Sequence, residues 1–195
     1  LCRECNYYRI MQIIRISDIH HPRFGEVWHL YQNSFPLCEQ RTLDHQITAF
    51  KADRFHLDVY LDGETLVGFI GYWDFDDYLY IEHYAINSDL RGGGWGSRIL
   101  EALQKTAGKT IILEIDEVVD EISTRRLRFY QRLGFVVNPY IHPLHRYRDI
   151  ETEHQNARLV IMTYPGTIDP QTYERFNRDL GEIVMKRDEQ LTNTK

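Results

Sequence analysis

The sequence predicts an α/β protein in which helices flank a sheet of mixed strand direction. Three observations carry that expectation. Strand-like alternation and helical spacing interleave along the chain in the order β-α-α-β-β-β-α-β-α-β-β. Asp62-Gly63 falls between two apolar runs, a hairpin signal. An apolar run over residues 79–86 then enters a polar turn and the stretch Arg91-Gly92-Gly93-Gly94-Trp95-Gly96, which opens an amphipathic helical pattern.

Taken in order, Gln12–Ile16 reads as a first strand. Residues 21–34 carry Phe24, Val27, Trp28 and Tyr31 at helical spacing, and residues 38–51 carry Leu43, Ile47 and Phe50 likewise. Residues 55–61 alternate towards the Asp62-Gly63 turn, and residues 65–73 return from it. After an acidic turn comes a strand over Tyr78–Ile86. The helix over Trp95–Ala107 puts Ile99, Leu100, Leu103 and Ala107 on the face that covers the sheet. A strand over Thr110–Asp116, a helix over 120–133 and a strand over 135–137 follow. Residues 138–157 show neither period, and Arg158–Tyr164 forms the last strand. Asp169 as N-cap and Pro170 at the first helical position start a terminal helix that ends near Lys186. That helix should bury Tyr173, Phe176, Leu180 and Val184.

At 195 residues, 43% apolar and 27% charged, the chain has room for one core and an appended element. The expected division is an N-terminal extension over 1–10, a main domain over 11–164 and a helical appendage over 165–195. A net charge of −6 argues against nucleic acid as partner, which needs a basic footprint. The longest apolar run, residues 66–73, is too short for a bilayer, and the first ten residues lack a secretory pattern, so a cytoplasmic protein without membrane attachment is expected. Three cysteines make no disulfide framework. Cys2-x-x-Cys5 has no second pair, and His142 and His145 lack a cysteine or carboxylate at ligand spacing, so no metal is expected.

A strand that feeds glycines at a helix start is suited to hold phosphates: glycine allows close backbone approach, and the helix dipole favours anions. Two nucleotide motifs fail on spacing. A G-x-G-x-x-G fingerprint would need glycine at Ser97 or Ile99. A P-loop ending in Gly108-Lys109-Thr110 would need glycine at Leu103, and that tripeptide reads better as a helix stop. A nucleotide-binding protein is therefore disfavoured.

The stretch Arg91–Gly96 instead fits R/Q-x-x-G-x-G/A, the pyrophosphate loop of the GNAT superfamily of acyl-CoA-dependent N-acyltransferases, which the chain resembles over about residues 11–164. Residues 123–135, S-T-R-R-L-R-F-Y-Q-R-L-G-F, resemble the family's next helix, ending in [LF]-Y-x-x-x-G-F. The family's asparagine seven residues before the tyrosine is Ser123 here. The resemblance implies a twisted, mostly antiparallel central sheet and acetyl transfer from acetyl-CoA to a primary amine of a small molecule or peptide, in a ternary complex, by a monomer or homodimer. The alternative is a catalytically degenerate acyl-CoA-binding or regulatory domain.

The implied cofactor contacts are the amides from Gly92 to Ser97 (Gly92, Gly93, Gly94, Trp95, Gly96, Ser97), the charge of Arg91, the backbone of Ile86, and Tyr84 and Ala85 beside the thioester. Ser123 stands at the family's polar contact. Glu82 is the expected base. In a regular strand Tyr80, Glu82 and Tyr84 share one face, and partial desolvation among the tyrosines would raise the carboxyl pKa. The plain reading of Glu82 is a half-exposed strand carboxylate. His83, on the other face unless a bulge intervenes, is second choice. Tyr130, at the family's tyrosine, is the expected acid for the departing thiolate; otherwise it simply packs on the sheet. Arg125, Arg128 and Arg132 form a basic stripe suited to solvent or a ribose phosphate. Glu114, Asp116, Glu117, Asp120 and Glu121 suit either an ammonium or a helix N-terminus. Tyr140, His142, His145 and Tyr147 are candidates for one wall of the acceptor pocket.

Overall fold

In the computed structural model, which describes residues 11–148 and 158–185, eight strands form a single sheet. The strands are β1 (Gln12–Ile16), β2 (Phe55–Asp62), β3 (Thr65–Asp74), β4 (Tyr78–Ile86), β5 (Thr110–Asp116), β6 (Val136–Val137), β7 (His142–Pro143) and β8 (Arg158–Tyr164). The path across the sheet is β1-β2-β3-β4-β5-β8-β6, with β7 also on β8. Only β4 and β5 run parallel; every other pairing is antiparallel, which gives the mixed sheet that the sequence implied.

The helices are α1 (Phe24–Ser34), α2 (Leu43–Phe50), α3 (Trp95–Ala107), α4 (Glu121–Arg132) and α5 (Pro170–Asp179), the last continued by a π-helical turn over Leu180–Val184. They sort onto the two faces of the sheet. Phe24, Val27 and Tyr31 of α1, Ala49 of α2 and Phe176 of α5 pack with Val59, Phe69, Trp73 and Tyr80. Ile99, Leu100 and Leu103 of α3 and Leu127 of α4 pack with Val67, Ile70, Ile81 and Leu113 on the opposite face. The period-2 and period-3.6 patterns thus meet across each face, as burial of apolar area requires.

Local chemistry sets the boundaries. Gly63 takes φ +59° in the β2–β3 turn, and Gly108 takes φ +63° to stop α3. The helix expected over 38–51 is instead a short 3-10 turn, Leu37–Glu39, followed by α2. The break occurs because the Thr42 side chain caps the His45 amide and restarts the helix there. Asp169 and Pro170 open α5 as expected. Far from standing apart, this helix closes the core: Phe176 is 1% exposed against the rings of Tyr78 and Tyr80, and the Tyr78 hydroxyl donates to Asp179 at 2.6 Å. Truncating such a side chain to alanine costs about 3–5 kcal/mol. Among the described residues, no helix is long and apolar enough to cross a membrane. Cys2 and Cys5 lie outside the described residues.

Candidate active site

The site begins where two strands part. β4 and β5 pair from Tyr78–Thr110 to Ile81–Leu113 and no further, although both continue. A cleft of about 770 Å³ fills the opening, a size that suits a small-molecule site. Its walls include the continuing part of β4, the glycine turn, Phe129 and Tyr130 of α4, and Glu114 and Asp116 of β5.

A bulge in β4 sets which side chains face which way. Gly71 pairs with His83 and Tyr72 with Ile81, leaving Glu82 as the extra residue. As a result Glu82 and His83 project to the same side of the sheet. Glu82 reaches Arg41 and Trp73, and the His83 ring stands edge-on to Tyr31 and Phe35 at 4.8 and 4.7 Å. Tyr84 falls on the other side, where its hydroxyl donates to the Gly96 carbonyl at 2.8 Å. Tyr80, Glu82 and Tyr84 therefore do not share a face, because the alternation resets at the bulge.

On the side of α3 the wall is mostly backbone. Gly92 and Gly94 hold φ +81° and +76°, conformations that disfavour any side chain, and a Cβ at either would meet nothing within 4 Å. Gly94 occupies the N-cap of α3 without a side-chain cap. The first amide with an acceptor one turn back is Arg98, bonded to Gly94 at 3.2 Å. The amides of Trp95, Gly96 and Ser97 precede it and have no intrahelical partner. Gly96 is needed for close approach, since a Cβ there would sit 2.9 Å from the Tyr84 hydroxyl and 3.3 Å from the Phe129 ring. Such an array of free amides at a helix start fits a diphosphate.

On the side of α1 and α2 the lining residues Glu39, Glu82, His83 and Tyr147 come from distant parts of the chain, and Arg41 and Trp73 hold Glu82 from behind without lining the cleft themselves. Arg41 grips both oxygens of Glu82 at 2.8 Å, and Trp73 Nε1 donates to Oε2 at 2.6 Å. The Tyr147 hydroxyl donates to Oε1. The Arg41 guanidinium lies over the rings of Phe55, Trp73 and Tyr147 at 5.2–5.5 Å. The Arg41 and Glu82 side chains are 3% and 2% exposed. Burial alone would push the Glu82 carboxyl up; Arg41, His83 and the Tyr147 and Trp73 donors outweigh it and hold the pKa below the ordinary value. Its neighbour His83 is lowered chiefly by burial, and His83 Nε2 lies 3.1 Å from the Glu39 carbonyl.

Glu39 is different. It ends the 3-10 turn and lines the cleft, where burial above all, then the charges of Asp116 and Glu114, raise its carboxyl to about 7; Arg126 opposes them. Tyr130 also lines the cleft, and burial raises its phenol to about 12.

A family model for acetyltransferases of the GNAT family matches residues 24–135, more than half of the chain. The chain belongs to the GNAT acetyltransferase family. Among GNAT relatives, the Bacillus subtilis (strain 168) protein YjbC, named as an acetyltransferase, is 30% identical over 173 residues, covering 80% of this chain and 86% of its own. A GNAT-family structure from Bacteroides thetaiotaomicron shares 34% identity, covers 90% of this chain and 97% of its own, and superimposes with a TM-score of 0.77. A Bacillus subtilis acetyltransferase solved with CoA shares the fold at 17% identity and a TM-score of 0.53, covering 78% of this chain and 97% of its own.

Of the residues that the GNAT resemblance singled out, Tyr84, Ala85, Ile86, Arg91, Gly92, Gly94, Trp95, Gly96, Ser97, Glu82 and Tyr130 all border the cleft. Gly93 does not; a Cβ there would meet the Leu90 carbonyl and the Trp95 ring, each at 3.3 Å. Ser123 is diverted elsewhere. Its hydroxyl accepts from the Val119 and Asp120 amides at 3.0 Å and donates to Asp120 in a capping box that starts α4, and its 6% exposure leaves it off the wall. The expected rise of the Glu82 pKa fails, because Arg41, Trp73 and Tyr147 donate to the carboxylate and, with His83, hold its pKa below the ordinary value. Alternation could not reveal this, since Arg41 and Trp73 carry no local signal that they meet there.

Of the basic stripe, Arg132 reaches the cleft, Arg128 does not line it, and Arg125 pairs with Glu121; Arg126, outside the stripe, lines the cleft and pairs with Asp116. The acidic cluster divides likewise: Glu114 and Asp116 line the cleft, and Asp120 caps α4. Of the aromatic loop, His145 and Tyr147 border the cleft, while Tyr140 stacks on Tyr173 at 3.9 Å. The fold also brings Glu114 to His142 and His145, with a ligand atom from each within 4.8 Å of the others. Sequence spacing hid that meeting, because the carboxylate comes from another strand.

Proposed function

We propose that this GNAT protein transfers the acetyl group of acetyl-CoA to a primary amine of a small molecule or peptide, by direct attack in a ternary complex. The observation that carries the reading is the opening of two features onto one cleft: the uncapped start of α3 and the unpaired edge of β4 beside Tyr130. The amides of Trp95, Gly96 and Ser97 with Arg91 hold the diphosphate. The free edge of β4 at Ala85 and Ile86 orients the pantetheine arm beside them, as a backbone ladder can.

The acceptor poses the larger problem. An alkylammonium with a pKa near 10.4 is only about one part in a few thousand free amine at pH 7, a deficit of roughly 4.6 kcal/mol. Glu39 takes the proton. Its raised pKa places it near the optimum for a base at neutral pH. The amine nitrogen bonds to the acetyl carbon as the carbon–sulfur bond breaks, the Tyr130 hydroxyl protonates the leaving thiolate, and the second nitrogen proton, shed as the amide forms, restores the Tyr130 phenol. Glu82 acts as a positioning residue: with Arg41, Trp73 and Tyr147 it holds the bulge that aims β4 at the thioester.

The test is a panel of amines, polyamines, aminoglycosides and peptide N-termini offered with acetyl-CoA, read by release of free thiol. The expected result is turnover of at least one amine, with a rate that rises through about pH 7. A cofactor-induced rise in Tm without thiol release from any amine would instead mark a binding domain that has lost transfer activity.

A further inference from the structure

Glu114 on β5, His142 on β7 and His145 just beyond it present three buried ligand atoms to one point. Glu114 Oε1, His142 Nε2 and His145 Nδ1 each lack a hydrogen-bond partner, yet all lie within 4.8 Å of one another. His142 is fully buried, and its Nε2 touches Glu114 Oε1 without hydrogen-bond alignment. Orphaned polar atoms at such depth are costly unless something satisfies them.

The surrounding bonds say what kind of group is missing. The Tyr173 hydroxyl donates to the Ile141 carbonyl at 3.1 Å, so it accepts from His142 Nδ1 at 3.2 Å. That fixes the proton of a neutral imidazole on Nδ1 and turns the Nε2 lone pair towards Glu114. The other oxygen of Glu114 accepts from the Tyr80 hydroxyl at 2.6 Å, which orients the carboxylate. The His142 lone pair and a carboxylate oxygen therefore converge with His145 Nδ1 beside them, and each of the first two ligands is held from behind by a tyrosine. Outer partners of this kind are what orient metal ligands.

We propose that Glu114, His142 and His145 bind a divalent transition-metal ion of the zinc class. Two nitrogens and one carboxylate oxygen form a three-ligand zinc set with a fourth position open; calcium and magnesium prefer oxygen alone. Bonds of about 2.0–2.2 Å in a tetrahedron set ligand atoms roughly 3.4 Å apart, so small side-chain rotations complete the site. Glu114 and His145 border the cleft, so the open position faces its acceptor end. The ion ties the segment carrying β7 to β5 and fixes that wall.

The experiment uses the full chain freed of metal by chelation, then titrated with Zn²⁺ alone by calorimetry and with Co²⁺ by visible absorption. No acetyl-CoA is present, so the outcome is independent of the transfer reading. The expected result is one Zn²⁺ per chain, a Tm that rises with Zn²⁺ concentration, and tetrahedral Co²⁺ bands. His145→Ala, at a partly exposed position, and Glu114→Gln, which keeps the side-chain volume, should each weaken Zn²⁺ binding at least tenfold. Cys2→Ser/Cys5→Ser should leave it unchanged. No stoichiometric uptake by the wild type, unchanged affinity in both ligand variants, or loss in the cysteine variant would each overturn the site.

Discussion

The two sides of the cleft are built on different principles. The α3 side is a backbone surface made by neighbours in sequence: Gly92 and Gly94 with positive φ, and helix amides that nothing in the helix satisfies. The opposite side is a side-chain surface, in which Glu82 meets Arg41 across 41 positions and Tyr147 across 65. A backbone site needs only the correct local conformation and tolerates changes elsewhere. A side-chain site is a buried charge network, where removing one member leaves its partner without compensation.

That contrast can be broken in several places. The largest effect should come from Glu82→Gln. It leaves the Arg41 guanidinium buried without its counter-ion and should lower stability by about 3–5 kcal/mol, or roughly 6–20 °C in Tm. The ascending limb near pH 7 should survive in whatever folds. If thermal denaturation shows no loss, the ion pair is not a structural strut; if the limb disappears, Glu82 is the base after all.

Next in size is Glu39→Gln, expected to lower kcat by about 10²–10⁴-fold and to remove the limb near pH 7. Gly94→Glu should sharpen the comparison from the other side. A charged side chain in the open space at Gly94 would occupy the anion site and abolish the Tm rise that acetyl-CoA gives, about 2.7 kcal/mol at a hundredfold excess over Kd. A retained rise would place the cofactor elsewhere. Tyr130→Phe should cost less, no more than about 10²-fold in kcat, because a thiol with pKa near 8.5 leaves readily unassisted.

A last effect is on the pH dependence of stability. Glu39 titrates near 4.5 when unfolded and near 7 when folded, so the folded state holds the proton more tightly between those values. Its contribution is complete below about pH 4.5 and is lost as pH rises through 7. The Tm of Glu39→Gln relative to wild type should therefore increase from pH 4 to pH 8. A difference independent of pH would mean that the carboxyl is not buried as described.

The layout of the fold was legible because its signals are local. The β2–β3 turn, the caps of α3 and α5 and the apolar faces all depend on residues a few positions apart, so most strand and helix boundaries matched, the helix expected over 38–51 being the exception because Thr42 restarts it. The glycine turn and the uncapped start of α3 were legible for the same reason. The errors came wherever a distant contact overrode a local rule. Strand alternation placed Tyr84 beside Glu82 until the β4 bulge, opposite Gly71 and Tyr72, moved it to the other face. Ser123 looked like a ligand contact and proved to be a cap.

By itself, then, the sequence determined the order of elements, the glycine turn at the start of α3 and the family to which the chain belongs, because periodicity and glycine conformation are properties of adjacent residues. Only the tertiary structure decided the ionic state of Glu82, the elevation of Glu39 and the meeting of Glu114 with His142 and His145. Those depend on burial and on charges brought together from separate strands and loops, and electrostatics acts through space, not along the chain.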